Sequence, residues 1–492
     1  MNELVFLPAH QLAQGIRDRT FSAVEVLEAH LEHIAQHNPT LNAIVTLNEN
    51  ALAQAKAADA ILANGNCWGP LHGVPVTFKD LFETQGLRTT FSEPTLTNYI
   101  PPKDVPLVAR LRSAGAIVLG KTNLPRAGAD FQTVSPVFGR TNNPWDLNRT
   151  PGGSTGGGSA AIAAGLSPLE LGNDIGASLR VPAHFCGVYS LKPTEHRVAN
   201  SLRSSPRRLR YMIATGPIAR SVEDLKLCLS LIEGPEDTAW EVAPIPPQEP
   251  IQRPLSEYRF AWCDRFGDLS VDTQTQTALE KLADRLTREG CQVERITPQN
   301  FDFTEAWQTF GELCTSQIAL AQNPLLRGLG RVWPAQFIPG GPMAQGFVKG
   351  AASSLQGYVE TLTRRDRLTQ QMEQFLKPWD AWLCPVTPGP AFTHRSTRFI
   401  HRGSLEVDDR KLFYWMWGMG FASIFSLTGN PVVTLPIATE GLPIGVQVVG
   451  KRWQDRELLA IAQSLTDFMG GYKRPIAYRL IYGYLSKVDP PS

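Results

Sequence analysis

The sequence has almost no excess of charge: 47 lysines and arginines stand against 46 aspartates and glutamates over 492 residues, a formal net charge of +1. Such a chain has no global field to draw in nucleic acid or an anionic membrane, so a small neutral partner fits it best. It also lacks any C-x-x-C pair. Its seven cysteines, Cys67, Cys186, Cys228, Cys263, Cys291, Cys314 and Cys384, are odd in number, which favours free thiols in a reducing compartment over a disulfide framework. There is no uninterrupted apolar run of bilayer-spanning length, and Met1 to Ala9 lacks the basic start and apolar stretch of a signal peptide. The expectation is therefore a cytoplasmic protein without a membrane anchor.

What is abundant is apolar surface and turn residues. Hydrophobic residues make up 42% and charged residues only 19%, enough for a sizeable core and too little charge for disorder. The 41 glycines and 38 prolines are spread along the chain, which points to many turns and a site built from loops.

Hydrophobic periodicity places the elements. Ser22 followed by Glu25 is a capping-box pattern before Val26, Leu27, Leu31 and Ile34, so a helix is expected from there to about His37. His30, His33 and His37 fall on one face of it; with no carboxylate or cysteine to complete a metal site, they read as solvated helix surface. Pro106 to Ala114 reads as a helix and Val74 to Phe78, Ala116 to Leu119 and Leu169 to Leu171 as buried strands, the alternation of a layered α/β protein. After Pro244-Ile-Pro-Pro through Pro254, an extended surface connection, Tyr258 to Cys263, Asp272 to Glu289 and Cys291 to Ile296 resume the strand–helix–strand rhythm, with Gly290 as the helix stop.

The chemistry is concentrated between Arg149 and Thr194. The run R-T-P-G-G-S-T-G-G-G-S-A-A-I-A-A-G-L-S-P-L-E-L-G-N-D-I-G-A-S-L-R-V-P-A puts Ser154 and Ser178 on separate glycine-bracketed turns. A hydroxyl becomes a useful nucleophile when a base takes its proton and donors receive the developing oxyanion. Lys79 follows the strand-like run Val74 to Phe78; a lysine there is ordinarily a surface residue, but its place after an apolar strand allows burial, and without a carboxylate partner a fully buried lysine loses up to ~3–5 pKa units, enough to serve as a base near pH 7. Ser159 to Gly165 reads as a tight helix of small residues, with the preceding glycines as the turn that presents Ser154. Asp174 and Arg180 are spaced to brace the Ser178 turn as a pair. Asp80, pointing to the opposite face of the strand from Lys79, is structural.

Several motifs are set aside. Gly115 to Thr122 matches the phosphate-loop pattern G-x-x-x-x-G-K-[ST], but Ala-Ile-Val-Leu inside it is strand and not loop. Gly152-Gly153-Ser154-Thr155-Gly156 matches the nucleophile elbow of α/β-hydrolases, and a serine esterase acting through Ser154 is the alternative enzyme; the elbow requires a strand before it, and Asn148 to Pro151 makes a poor one. His184 and His196 read as packing or surface residues, Cys186 as a small core residue, and Arg203, Arg207, Arg208 and Arg210 as a solvated loop.

Taken together with G-K-T-N-L-P at Gly120 to Pro125, N-P-W-D at Asn143 to Asp146, G-P-I-A-R-S-V-E-D at Gly216 to Asp224 and G-N-P-V-V-T-L-P at Gly429 to Pro436, the chain resembles the amidase signature family. The resemblance implies one large domain over residues 1–492, with a mixed twisted sheet covered by helices on both faces, the connection at 244–254 inside it and roughly 255–425 as its more variable, substrate-shaping part. It implies Ser178 as nucleophile, Ser154 as bridging serine after a cis Gly153–Ser154 peptide, Lys79 as base, and Ile175, Gly176 and Ala177 as the oxyanion turn. The implied reaction is hydrolysis of a small neutral carboxylic amide through an acyl-enzyme, with no metal and no organic cofactor; a homo-oligomer is compatible with it. A degenerate family member acting only as a binding protein is the other alternative, against which the intact Lys79, Ser154 and Ser178 count.

This sequence departs from the family in two places. Ala177 stands where glycine is usual, at a strain of ~1–2 kcal/mol if that backbone is left-handed. Arg126 stands where glutamate is common. Members that amidate glutamate on tRNA typically carry glutamine where Val181 stands here. Finally, the charge-free aromatic run Phe413 to Phe421, broken by Gly418 and Gly420, supplies Trp415 and Trp417 as candidates for an apolar acyl pocket.

Overall fold

The computed structural model describes residues 3–200, 209–237, 239, 241–244, 246, 250, 253–319, 340–396 and 403–478. Arg203, Arg207 and Arg208 of the basic run, and positions 245, 247–249 and 251–252 of the proline-rich connection, lie outside the described residues.

An eleven-stranded mixed sheet organises the molecule. In chain order its strands are β1 (Ile44–Leu47), β2 (Pro75–Lys79), β3 (Ile117–Thr122), β4 (Leu169–Asp174), β5 (Tyr189–Lys192), β6 (Ala214–Ala219), β7 (Arg259–Trp262), β8 (Gln292–Arg295), β9 (Ala381–Pro385), β10 (Val432–Ala438) and β11 (Ile444–Val449). Across the sheet they lie in the order β1, β3, β2, β4, β6, β5, β10, β11, β9, β7, β8. The β3–β2–β4 and β9–β7–β8 groups are parallel and the pairs joining them antiparallel. Strands from both sides of the 244–254 connection thus enter one sheet. Every residue of β2, β3, β4, β5, β6 and β11 is buried, as expected of strands covered on both faces.

The helices follow the patterning. Ser22 caps the helix Ala23–Leu41 with the full reciprocal box, and Asp272 caps Thr273–Arg288 by accepting from Thr275 N at 2.7 Å. Pro106–Ser113 buries Leu107, Val108 and Leu111. The phosphate-loop look-alike is β3, and its Lys121 is buried, donating to Thr84 Oγ1 at 2.9 Å and to Phe82 O.

Two expectations are overturned. His30 and His33 are buried and His37 half-buried, not solvated. His30 Nδ1 bonds to Val26 O at 2.8 Å and His33 Nε2 to Ala164 O at 2.8 Å, while the His33 and His37 rings pack against each other and Tyr478. Polar type alone misjudged a face that the Gly165 corner and the C-terminal segment cover, and burial holds His30 down to about 3 and His33 to about 4. The glycine run also behaves differently: the helix spans Gly156–Ala163, so Gly156, Gly157 and Gly158 form its first turn and do not precede it. Side chains there would collide with Thr133, the Asn123 backbone and Glu170, so contact distance overrides the weak helix propensity of glycine.

Candidate active site

Strand β4 ends at Asp174, the chain turns through Ile175 to Leu179, and the helix Arg180–Cys186 begins. Arg180 fixes both ends of that turn. Its Nε donates to Asp174 Oδ2 at 3.0 Å and its Nη2 to Oδ1 at 2.8 Å, while Leu179 N donates to Oδ2 at 2.9 Å. The remaining guanidinium donors reach Ala422 O, Gln447 Oε1 and Ser426 Oγ. Both ions are fully buried. Burial alone would raise the Asp174 carboxyl, but the charge and hydrogen bonds of Arg180 hold it below the usual carboxylate range. The pair braces the turn as its spacing implied.

Within the turn, the backbone N–H groups of Gly176, Ala177 and Ser178 have no acceptor among the described residues. A side chain at Gly176 would run into Met419 Sδ and Phe310. Ala177 has no positive φ, so the methyl group causes no left-handed strain there. Ser178 is half-buried; its carbonyl accepts from Thr155 N at 3.2 Å and its hydroxyl has no partner among the described residues.

That Thr155–Ser178 bond ties the second serine turn to the first. The Gly153–Ser154 peptide is cis. Gly152 lies against the Pro182 backbone and Gly153 against Asp130 and Phe131, approaches that a Cβ would forbid. Gly128 covers the Ser154 hydroxyl, a Cβ placed on it lying 3.4 Å from Ser154 Oγ. No strand precedes Ser154: residues 147–153 hold a turn, a single isolated bridge from Arg149 to Thr393 and irregular backbone, so the elbow geometry of an α/β-hydrolase is not present.

Lys79 is the last residue of β2 and fully buried. Its Nζ lies 2.6 Å from Ser154 Oγ and 2.7 Å from Asn173 Oδ1. Burial lowers its pKa to about 7, against the smaller opposing pull of Asp174 and Glu170. Neither carboxylate hydrogen-bonds to it: Asp174 is held by Arg180, and Glu170, itself pushed up to about 7 by burial, accepts from Thr122 Oγ1 at 2.6 Å. Asp80 accepts from Thr90 Oγ1 at 2.5 Å and takes no part in the site. A neutral amine in contact with a serine hydroxyl can take its proton.

The aromatic run forms the helix Tyr414–Met419. Trp417 is buried against Phe392 and Phe185, with ring centroids 5.3 Å and 6.0 Å away, and Trp415 is half-buried beside Phe131 and Phe347. Both belong to the apolar cluster that includes Ala177. His184 is a packing residue, accepting from Gly445 N at 2.6 Å; Cys186 is buried; Arg126 lies at the surface on Glu93.

Two contributors were not singled out in the sequence. Asn173 stands between Gly172 and Asp174 at the end of β4, and nothing in that local pattern marks it out. Asp130, buried, accepts from Tyr414 OH at 2.6 Å and from Phe131 N at 2.7 Å, which links the loop over Ser154 to the aromatic helix. Burial raises its carboxyl to about 6.

The Amidase family model matches residues 25–459. Indoleacetamide hydrolase from Bradyrhizobium diazoefficiens is 34% identical over 471 residues, covering 93% of this chain and 86% of that protein. A glutamyl-tRNA(Gln) amidotransferase polypeptide from Thermus thermophilus is 32% identical over 480 residues, covering 93% and 96%. Among solved structures, 6-aminohexanoate cyclic dimer hydrolase has a TM-score of 0.80 at 26% identity, covering 96% of this chain and 99% of that one.

Proposed function

The chain belongs to the amidase signature family and is an amide-hydrolysing enzyme, and we propose that it cleaves a small neutral arylacetamide to the acid and ammonia through an acyl-enzyme on Ser178. The observation that carries the mechanism is the 2.6 Å contact between Lys79 Nζ and Ser154 Oγ, made by a lysine with a pKa near 7.

The Ser178 oxygen attacks the amide carbonyl while its proton passes to Ser154 Oγ, and the Ser154 proton passes to Lys79. The N–H groups of the Ile175-Gly176-Ala177-Ser178 turn receive the oxyanion; one such donor is typically worth about 10²–10³ in rate. The ammonium of Lys79 then returns its proton by the same route to the departing nitrogen, the C–N bond breaks, and ammonia leaves. Water attacks the acyl-Ser178 ester with the relay reversed. No step calls on a metal or an organic cofactor.

The substrate class rests on the apolar surroundings of the turn and on the similarity to indoleacetamide hydrolase. We read Trp415 and Trp417 as walls of the acyl pocket, and residues 1–492 as one domain, since strands on both sides of the 244–254 connection share one sheet. Val181 in place of glutamine, and a formal net charge of only +1, favour this reading over a tRNA-dependent amidotransferase. A cytoplasmic setting accords with the free cysteines and with there being no helix, among the described residues, long and apolar enough to cross a membrane.

The test is release of ammonia from indole-3-acetamide and phenylacetamide, together with mass-spectrometric mapping of the serine modified by a fluorophosphonate. Label on Ser178 supports the mechanism; label on Ser154 alone, or none, contradicts it.

A further inference from the structure

Resting on the reading of Lys79 as the base, we propose that Asn173 is a positioning residue that directs the lone pair of the neutral Lys79 amine at the Ser154 hydroxyl. A neutral amine carries two N–H donors and one lone pair. Lys79 Nζ has two close partners, Asn173 Oδ1 at 2.7 Å and Ser154 Oγ at 2.6 Å. They differ in kind. The amide oxygen only accepts, so that contact consumes an N–H; the hydroxyl can donate or accept and turns to suit its neighbour. With one N–H committed to Asn173, the orientation that spends the lone pair on the amide oxygen is excluded; the lone pair or the second N–H then faces Ser154, and donation by the Ser154 O–H selects the lone pair, which is the direction a proton transfer needs. Without Asn173 a further orientation opens, in which the lone pair turns to the vacated side and an N–H faces Ser154, so the productive orientation is less populated.

The side chain at this position is neutral, and that matters because the lysine must lose its proton easily. The ionisable groups around Lys79 are Glu170 and Asp174 on β4, Lys121 on β3 and Asp80 next in the chain. Each carboxyl is engaged elsewhere, with Thr122, Arg180 and Thr90 respectively for Glu170, Asp174 and Asp80. Asn173 therefore orients the amine without holding it as an ammonium, whereas a carboxylate at the same distance would favour the charged form.

The experiment follows the rate at which a fluorophosphonate labels Ser178 as a function of pH, so it does not depend on the substrate's identity. In that step the Ser178 oxygen–phosphorus bond forms, fluoride leaves and the serine proton goes through Ser154 to Lys79. For Asn173→Asp the acid limb of the profile is expected to move up by at least about one pH unit, since an opposite charge within ~4–6 Å shifts a pKa by about 1–3 units. For Asn173→Ala the plateau rate falls about tenfold or more with no upward movement of the limb. Circular dichroism and melting show which variants fold. Wild-type rates and limbs in the folded variants overturn the proposal, as does failure of both to fold, which would make Asn173 a structural residue. Lys79→Ala is labelled alongside: a wild-type rate there means that the base itself is misread, a failure distinct from that of Asn173.

Discussion

Arg180 grips Asp174 with two parallel hydrogen bonds, 2.8 Å and 3.0 Å long, and the residues that end β4 and begin the next helix are thereby locked across the Ser178 turn. Arg180→Met removes the cation and strands a fully buried carboxylate. The expected loss is about 3–5 kcal/mol of stability, read as a fall in urea midpoint, together with lower activity in whatever protein still folds. Arg180→Lys should recover only part of it, because an ammonium cannot make the paired contact. A variant as stable and active as the parent would show that the turn is held by other means.

Ser178→Ala is expected to abolish turnover while leaving the melting temperature unchanged. The hydroxyl has no hydrogen-bond partner to lose among the described residues, and substitutions away from such features usually stay within about 0.5 kcal/mol. Measurable hydrolysis by the purified variant would reassign the nucleophile.

Lys79 is required for activity and costs stability. The base acts when neutral, so kcat/KM should rise with pH through about 7. For stability, the folded state has the lowered pKa and an unfolded lysine sits near ~10.4. Between about 7 and that value the unfolded chain binds more protons, so stability contributed through Lys79 rises with pH across this window. Lys79→Met is expected to be inactive, to melt higher than the parent at pH 7, and to show a weaker pH dependence of melting across that range. Lys192, also lowered to about 7 by burial, titrates in the same window, so the difference between variant and parent is the quantity to compare. A lower melting temperature for Lys79→Met would show that the lysine is a net structural asset.

The two tryptophans should separate. Trp417→Ala empties a buried site and is expected to cost about 3–5 kcal/mol of stability in addition to changing the ranking of acyl groups. Trp415→Ala, at a half-buried position, should change the ranking of aryl over aliphatic acyl groups more than it changes the melting temperature. A uniform loss at Trp415 with matching destabilisation would return that residue to the core.

These expectations show where sequence reasoning reached and where it stopped. The placement of Lys79 at a strand end and of Ser154 and Ser178 on separate turns was legible because each sits in a short local pattern, and the Asp174–Arg180 pair because the two lie six residues apart on one turn. Asn173 was not, since what gives it meaning is an amine 94 residues away on the neighbouring strand, and strand pairing leaves no mark at that separation. The helical state of Gly156 to Gly158 was hidden for a similar reason: propensity reports the isolated chain, whereas here Thr133, Asn123 and Glu170 leave no room for a Cβ. The burial of His30 and His33 depended on what covers their face, which periodicity along one helix cannot tell.

The strand order has a consequence for biosynthesis. β10 and β11, residues 432–449, lie in the middle of the sheet, between β5 on one side and β9 on the other. A nascent chain that stops short of residue 432 therefore carries two separate sets of strands, each with an unpaired edge where the last two strands belong. Exposed edges invite pairing with other chains, and long-range pairing of this kind is slow and aggregation-exposed. The ribosome must deliver most of the protein before the sheet can close, so truncation or a premature stop ahead of residue 432 should yield insoluble material and not a smaller enzyme.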